Sequence, residues 1–286
     1  MSRVLAISDL HVRYRKNREA LEALPTHSED WLLVPGDIGD TFDEVQATFQ
    51  VLQTKFEKVI WTPGNHELWS RGSEALVGVE RYEALIELAR EEGVVTPEDP
   101  WPIWDQGDSP IVIAPVFLLY DWSFRPAEVP LEKVKEWAAE KGIRANDDRF
   151  IHSTPYASVA DWCAARCDAT FKRLKALPQH LPIVLVNHYP LRADLVRFLP
   201  RIKRYSPWCG TTRTSSWHQD LPIKVVVNGH LHMRATDWID GVRFEEVAIG
   251  YPRHWQTERP LESYLREILP GPTQTIEERA GPFWHP

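Results

Sequence analysis

Arg3-Val-Leu-Ala-Ile-Ser-Asp-Leu-His11 is a short apolar run that ends in a carboxylate and an imidazole two residues apart. A continuous apolar run of this length reads as a fully buried strand. Four further runs end the same way. Residues 31–35 lead into Gly36-Asp37-Ile38-Gly39-Asp40, and residues 58–62 into Gly64-Asn65-His66-Glu67. Residues 182–186 lead into Asn187-His188, and residues 223–227 into Asn228-Gly229-His230-Leu231-His232. Each run delivers polar residues from the carboxyl end of a strand, the edge where open α/β sheets place their sites.

Helical patterns fill the intervals. Residues 16–24, 41–56, 74–92 and 157–177 carry apolar positions at helical spacing. Thr41 with Glu44 three residues on reads as a capping box. Asp237 to Val247 reads as a hairpin turning at Asp240-Gly241. Alternating strand and helix implies a layered α/β architecture. Residues 94–156 and 192–220 fit that alternation least and read as insertions beside the site, the first with an apolar strand from Ile111 to Leu119. No internal repeat is visible. The expectation is one domain over residues 1–270 and a loose, proline-rich tail over 271–286.

Composition narrows the function classes. The 286 residues carry a net charge of −8, which argues against a polyanion binder. No apolar run approaches the length of a membrane span. The chain starts directly with a strand and shows no leader pattern. Three cysteines, an odd number, read as reduced thiols in a cytoplasmic protein. Cys163 and Cys167 share a helix face and are expected in the core. Most of the 13 Trp should pack in the core, with some lining a substrate groove. His152 and His180 read as surface residues.

The polar ends of the five runs hold two carboxylates (Asp9, Asp37), one amide (Asn65) and four imidazoles (His11, His188, His230, His232). Two divalent cations roughly 3.5–4 Å apart can hold phosphoryl oxygens and stabilise charge on attacking and leaving oxygens. Mixed nitrogen and oxygen ligation suits iron, manganese, zinc or cobalt better than calcium or magnesium. The pattern therefore points to two divalent transition metals and phosphoester chemistry.

From residue 4 to about residue 250, the five segments resemble the signature of calcineurin-like metallophosphoesterases. The resemblance implies a four-layer αββα sandwich, two packed mixed β-sheets flanked by helices. It implies Asp9, His11 and His232 around one metal, Asp37 bridging, and Asn65, His188 and His230 around the other. It places His66 beyond the ligands, facing the phosphate or the leaving group, with Asp40 as a neighbouring acid. Purple acid phosphatases of the superfamily place a Tyr three residues after the bridging Asp. Asp40 stands there instead, so a ferric–tyrosinate site is not expected and manganese or iron, with zinc as an alternative, remain the metals.

Segments outside the metal motifs carry a narrower resemblance. Phe117 to Phe124, Trp208 to Thr212, Asp240 to Val247 and Gly250 to Arg253 resemble phosphopantetheinyl hydrolases of the same superfamily. This implies removal of 4′-phosphopantetheine from holo acyl carrier protein. A nucleotide or cyclic-nucleotide phosphodiesterase or phosphatase is the alternative activity. A non-catalytic scaffold is the alternative class, disfavoured by seven filled ligand positions. Arg192, Arg197, Arg201, Lys203 and Arg204, against the single acid Asp194, read as a basic run that could dock an acidic carrier. The sequence is silent on oligomeric state.

Overall fold

The structure, a computed structural model, describes residues 2–72, 76–106, 109–198, 200–271 and 282–285. Its first half runs β1 (Val4–Ala6), α1 (Arg15–Glu22), β2 (His27–Pro35), α2 (Phe42–Gln53), β3 (Phe56–Thr62), α3 (Asn65–Leu68), α4 (Gly78–Glu91), β4 (Ile103–Trp104) and β5 (Ile111–Pro115). It continues with α5 (Val134–Ala139), α6 (Asp147–Phe150), α7 (Val159–Lys175), β6 (Ile183–Val186), α8 (Trp217–Asp220), β7 (Ile223–Asn228), β8 (Ala235–Ile239), β9 (Val242–Glu246), β10 (Arg266–Leu269) and β11 (Phe283–Trp284).

Two mixed sheets result. One has the order β10-β1-β2-β3, the other β11-β8-β9-β7-β6-β5-β4. Strands β1, β2 and β3 are parallel, as are β5, β6, β7 and β9. The sheets pack through Val4, Ala6, Leu33 and Ile60 on one side and Ile113, Val184, Val186, Val225 and Val227 on the other. The alternate residues Leu5, Leu32, Val34, Val59 and Trp61 pack with Val45, Phe49 and Leu52 of α2 and with Leu85 and Ile86 of α4. Strands buried on both faces have no polar face to show, which is why their sequences are continuous apolar runs.

The sheets are joined at their site ends. Thr62 Oγ1 donates to the Val116 carbonyl at 2.6 Å, and Ser8 forms a parallel bridge with Ala248. Thr41 and Glu44 form the expected reciprocal cap of α2. The β8–β9 hairpin turns through Asp240 and Gly241, both at positive φ, as a type I′ turn requires. Cys163 and Cys167 are buried on α7, and Trp61, Trp162 and Trp208 are fully buried.

Two segments differ from the sequence reading. The strand expected from Ile111 to Leu119 ends at Pro115. Residues 116–120 stay buried; Val116 N still donates to the Val186 carbonyl at 2.8 Å, but Leu118 N donates to the Asn187 side chain at 3.2 Å instead of to a strand. At the carboxyl end, Phe283 and Trp284 pair antiparallel with Thr236 and Ala235 on the outer edge of β8. His285 Nε2 meets Thr236 Oγ1 at 2.7 Å, so this part of the expected tail is tied to an open sheet edge. Residues 272–281 and 286 of that tail lie outside the described residues.

Phe49 anchors the helix side of the first sheet, fully buried and edge-on to Trp61 at 5.3 Å. Phe49→Ala should cost about 3–5 kcal/mol, the usual range for emptying such a site. A urea unfolding midpoint that falls while the slope stays constant would register it.

Candidate metal centre

All five predicted segments meet where the carboxyl ends of β1, β2, β3, β6 and β7 converge. Asp9 Oδ1 lies 2.9 Å from His232 Nε2, and His11 Nε2 lies 3.3 Å from the same nitrogen. Asn65 Oδ1 lies 3.1 Å from His188 Nε2 and 3.2 Å from His230 Nδ1, and those two nitrogens are 3.1 Å apart. Asp37 stands between the groups, with Oδ2 3.9 Å from His11 Nε2 and Oδ1 3.6 Å from His188 Nε2. Two three-residue donor groups follow, Asp9–His11–His232 and Asp37–His188–His230, and Asn65 joins the second.

The backbone is bent to make this possible. Asp9, His11, Asp37, His230 and His232 all have left-handed φ, between 40° and 73°. Such conformations are uncommon outside glycine and each costs of order 1–3 kcal/mol when the surroundings impose it. They turn consecutive side chains toward one point. Gly36, at φ 79°, lets the turn before Asp37 lie against Gly64. A Cβ on Gly64 would overlap Asp37 Oδ1.

The charge balance fits cations. Burial pushes the imidazoles of His11 and His230 far down and that of His188 to about 4, so they are neutral and have a lone pair to give. His188 Nδ1–H donates to the Pro35 carbonyl at 2.8 Å, which leaves Nε2 free toward Asn65. Asp37 is pushed well above the usual carboxylate range, first by burial and then by the charges of Asp9 and Glu67. Asp9 is also penalised by burial, but His232, 2.9 Å from its Oδ1, outweighs it and holds its carboxyl low. Neutral imidazoles and crowded carboxylates at such short range are what a dinuclear centre needs, and the residues present fit one.

His66 lies beside His11 at Asp37, with ring centres 4.6 Å apart. Its Nδ1 is 2.7 Å from Asp40 Oδ1, its ring sits 3.7 Å from that of Trp69, and its Nε2 is 3.8 Å from Asp37 Oδ2. His11, Asp37 and His66 also form a compact donor group, so His66 stands at the lip of the first site. Burial would raise the Asp40 pKa, but His66, Arg71 and Arg13 lower it further and keep the carboxylate charged. Arg13 and Arg71 contact Asp40 Oδ2 at 3.0 and 2.9 Å.

Several supporting residues carry no signal in isolation. Glu67, next to His66, accepts from the backbone N–H groups of Asp37, Ile38 and Gly64 at 2.7–3.1 Å. Glu246 accepts from Met233 N and Arg234 N beyond His232. Asn17 donates to the carbonyls of Leu10 and Gly250. Asp147, from the 94–156 insertion, is fully buried and accepts from Asn65 Nδ2 at 3.0 Å and Trp69 Nε1 at 2.7 Å. By taking the amide N–H, it fixes Asn65 with Oδ1 toward the imidazoles.

The basic run of residues 192–204 is largely paired. Arg192 binds Asp194, Arg197 binds both oxygens of Asp237 at 2.9 and 2.7 Å, and Arg204 binds Glu140 and the Trp137 carbonyl. Lys203 is exposed, and the Arg201 side chain lies outside the described residues. A groove of about 700 Å³ opens from the donor groups and is walled by Phe198, Ile202, Tyr205, Met233 and Trp284, with Arg197 beside them.

Asp147 gives a direct test. Asp147→Leu removes the acceptor that orients Asn65 and should weaken binding at the second site by about 10–100-fold, while Asp147→Asn should largely restore it. Calorimetric titration of metal-free protein with Mn²⁺ reads the difference without reference to turnover.

Comparison with known proteins agrees with this geometry. The family model described as calcineurin-like phosphoesterase matches residues 2–234. The [acyl-carrier-protein] phosphodiesterase PptH of Mycobacterium tuberculosis is 44% identical over 274 residues, covering 93% of this chain and 83% of that protein. The crystal structure of the phosphopantetheinyl hydrolase PptH from the same organism superposes with a TM-score of 0.89 at 40% identity, covering 96% of this chain and 99% of that one. The order of ligand-bearing strand ends, the paired sheets and these matches lead to one assignment: the chain belongs to the calcineurin-like phosphoesterase family and is a phosphoester hydrolase.

Proposed function

We propose that this hydrolase cleaves the phosphodiester that joins 4′-phosphopantetheine to a serine of holo acyl carrier protein, giving apo carrier and free phosphopantetheine. The observation that carries the reading is the groove. It starts at Asp37, Asn65 and His230 and runs out along Phe198, Ile202, Tyr205, Met233 and Trp284. A flexible arm with a branched apolar segment next to its phosphate suits such a wall, and so does the likeness to PptH over nearly the whole chain. We read residues 1–270 as one catalytic domain. A cytoplasmic setting fits the three unpaired cysteines, Cys163, Cys167 and Cys209.

The protein's own residues divide the work. Asp9, His11 and His232 would hold one cation, Asn65, His188 and His230 the other, and Asp37 would be shared. Manganese or iron suits this mixture of imidazole, amide and carboxylate. Bound there, two such cations would supply Lewis acidity to the phosphoryl group and to the attacking water. His66 stands beside His11, with Nε2 3.8 Å from Asp37 Oδ2. Its Nδ1–H is held by Asp40, so Nε2 can carry the proton that the leaving serine oxygen must receive. Asp40, kept ionised, stabilises the charged imidazole.

Mass spectrometry of holo carrier protein incubated with the enzyme and Mn²⁺ tests the reading. The expected result is loss of the whole arm, with free phosphopantetheine in the supernatant. A carrier left intact while a nucleotide diester is cleaved would overturn it. His66→Ala should keep its metal content and lose about 10²–10⁴-fold in rate on the carrier. The loss should be much smaller on a nitrophenyl diester, whose leaving group needs no proton.

A further inference from the structure

If the leaving oxygen belongs to the carrier serine, the carrier must sit on the His66 side of the phosphate and the arm on the other. Phe198, Ile202 and Met233 give the groove the apolar wall that suits the arm, and His66 and Tyr251 line the same groove. The His66 side ends in a cationic rim that the sequence reading did not single out. Asp40, which holds His66, is itself held by Arg13 and Arg71. Tyr14 follows Arg13, is 42% exposed, and lies 5.4 Å from the ring of Tyr251. Tyr251 in turn lies 4.6 Å from the His11 ring, and the Arg253 guanidinium sits 4.9 Å from the Tyr251 ring centre. Arg18 N donates to the Tyr14 carbonyl at 3.1 Å, so Arg18 stands one helical turn on, on the same face of α1 as Tyr14.

We propose that Arg13, Arg18, Arg71 and Arg253, set around Tyr14 and Tyr251, form the docking surface for the acidic segment of the carrier that bears the modified serine. The proposal rests on the carrier-protein reading above. Two of the four guanidiniums, Arg13 and Arg71, share one acid, Asp40. Arg18 and Arg253 are exposed and have no ion pair among the described residues. This excess of positive charge lies in a chain of net charge −8. In the 192–204 run, Arg192, Arg197 and Arg204 are each paired with an acid, Asp194, Asp237 and Glu140. Opposite charge at the mouth of a site raises the rate of encounter more than it deepens binding. The rim also orients the substrate, since a carrier held over Arg13 and Arg71 presents its serine oxygen to His66 and sends the arm into the groove.

The test is kcat/KM for release of phosphopantetheine from holo carrier, with a small chromogenic phosphodiester as the second substrate. Arg18→Glu combined with Arg253→Glu should lower kcat/KM on the carrier by about 10–100-fold at low ionic strength, mainly through KM, with the deficit shrinking as salt rises. Its rate on the chromogenic ester should stay within about twofold of wild type. Arg253→Gln separates loss of charge from loss of the hydrogen bond to His254, and should lose far less than the double variant. Lys203→Glu, on the alternative run, should change neither substrate. A double variant that acts normally on the carrier, or loses both substrates equally, overturns the surface, as does Lys203→Glu losing as much on the carrier. A wild-type enzyme that releases no phosphopantetheine overturns the substrate reading itself, a separate outcome visible in the same assay.

Discussion

Glu67 is the tie on which the site depends. One fully buried carboxylate accepts from three backbone amides, those of Asp37 and Ile38 after β2 and that of Gly64 after β3. Two loops that would otherwise be independent are thus locked at a single separation. Arg81 reinforces the lock by donating to the carbonyls of Glu67 and Asp40. The loops must be close for Gly36 to pass Gly64, and only then does Asp37 reach both donor groups. A buried carboxylate without amide partners would be costly, so its position is set by where the amides are.

The same economy of charge explains the backbone. Five candidate ligand residues in the left-handed region cannot be favoured locally, and the strain is opposed by the packed ends of two sheets buried on both faces. Asp9 and Asp37 show why cations belong there. The first is held ionised by its contact with His232, while burial and the charges of Asp9 and Glu67 act against ionisation of the second. A shared cation pair removes that conflict, because it favours the ionised form of both carboxylates at once.

What the sequence revealed follows from this physics. The five strands were legible because parallel strands under two layers leave continuous apolar runs. Their ligands were legible because each sits at the end of such a run. The hairpin at Asp240-Gly241 and the cap at Thr41 were legible because a few adjacent residues make them. Asp147 was not, since its partners Asn65 and Trp69 lie 82 and 78 residues away and nothing local marks an acid as an acceptor for an amide. The run from Arg192 to Arg204 stood out for a related reason. Its charge is counted along the chain, whereas Arg197 and Arg204 find acids, Asp237 and Glu140, 40 and 64 residues distant, only in space. The rim around Tyr14 was overlooked for the converse reason, because Arg71 and Arg253 join Arg13 and Arg18 only in the fold.

Asp40 links these levels. It occupies the position where a tyrosine binds iron in a related branch of the superfamily, and here it touches an imidazole and two guanidiniums instead. Accepting from His66 Nδ1 fixes the tautomer and turns Nε2 toward Asp37. Arg13 and Arg71 keep the carboxylate charged against its burial, so the acid that stabilises the imidazole is itself stabilised from the surface. In the proposed docking, the cations that would receive an acidic partner are therefore the ones that hold the partner of His66. A neutral residue in place of Asp40 would break both connections, because the arginines would lose their anchor as the imidazole lost its partner. One aspartate thus ties two surface guanidiniums to the imidazole beside Asp37.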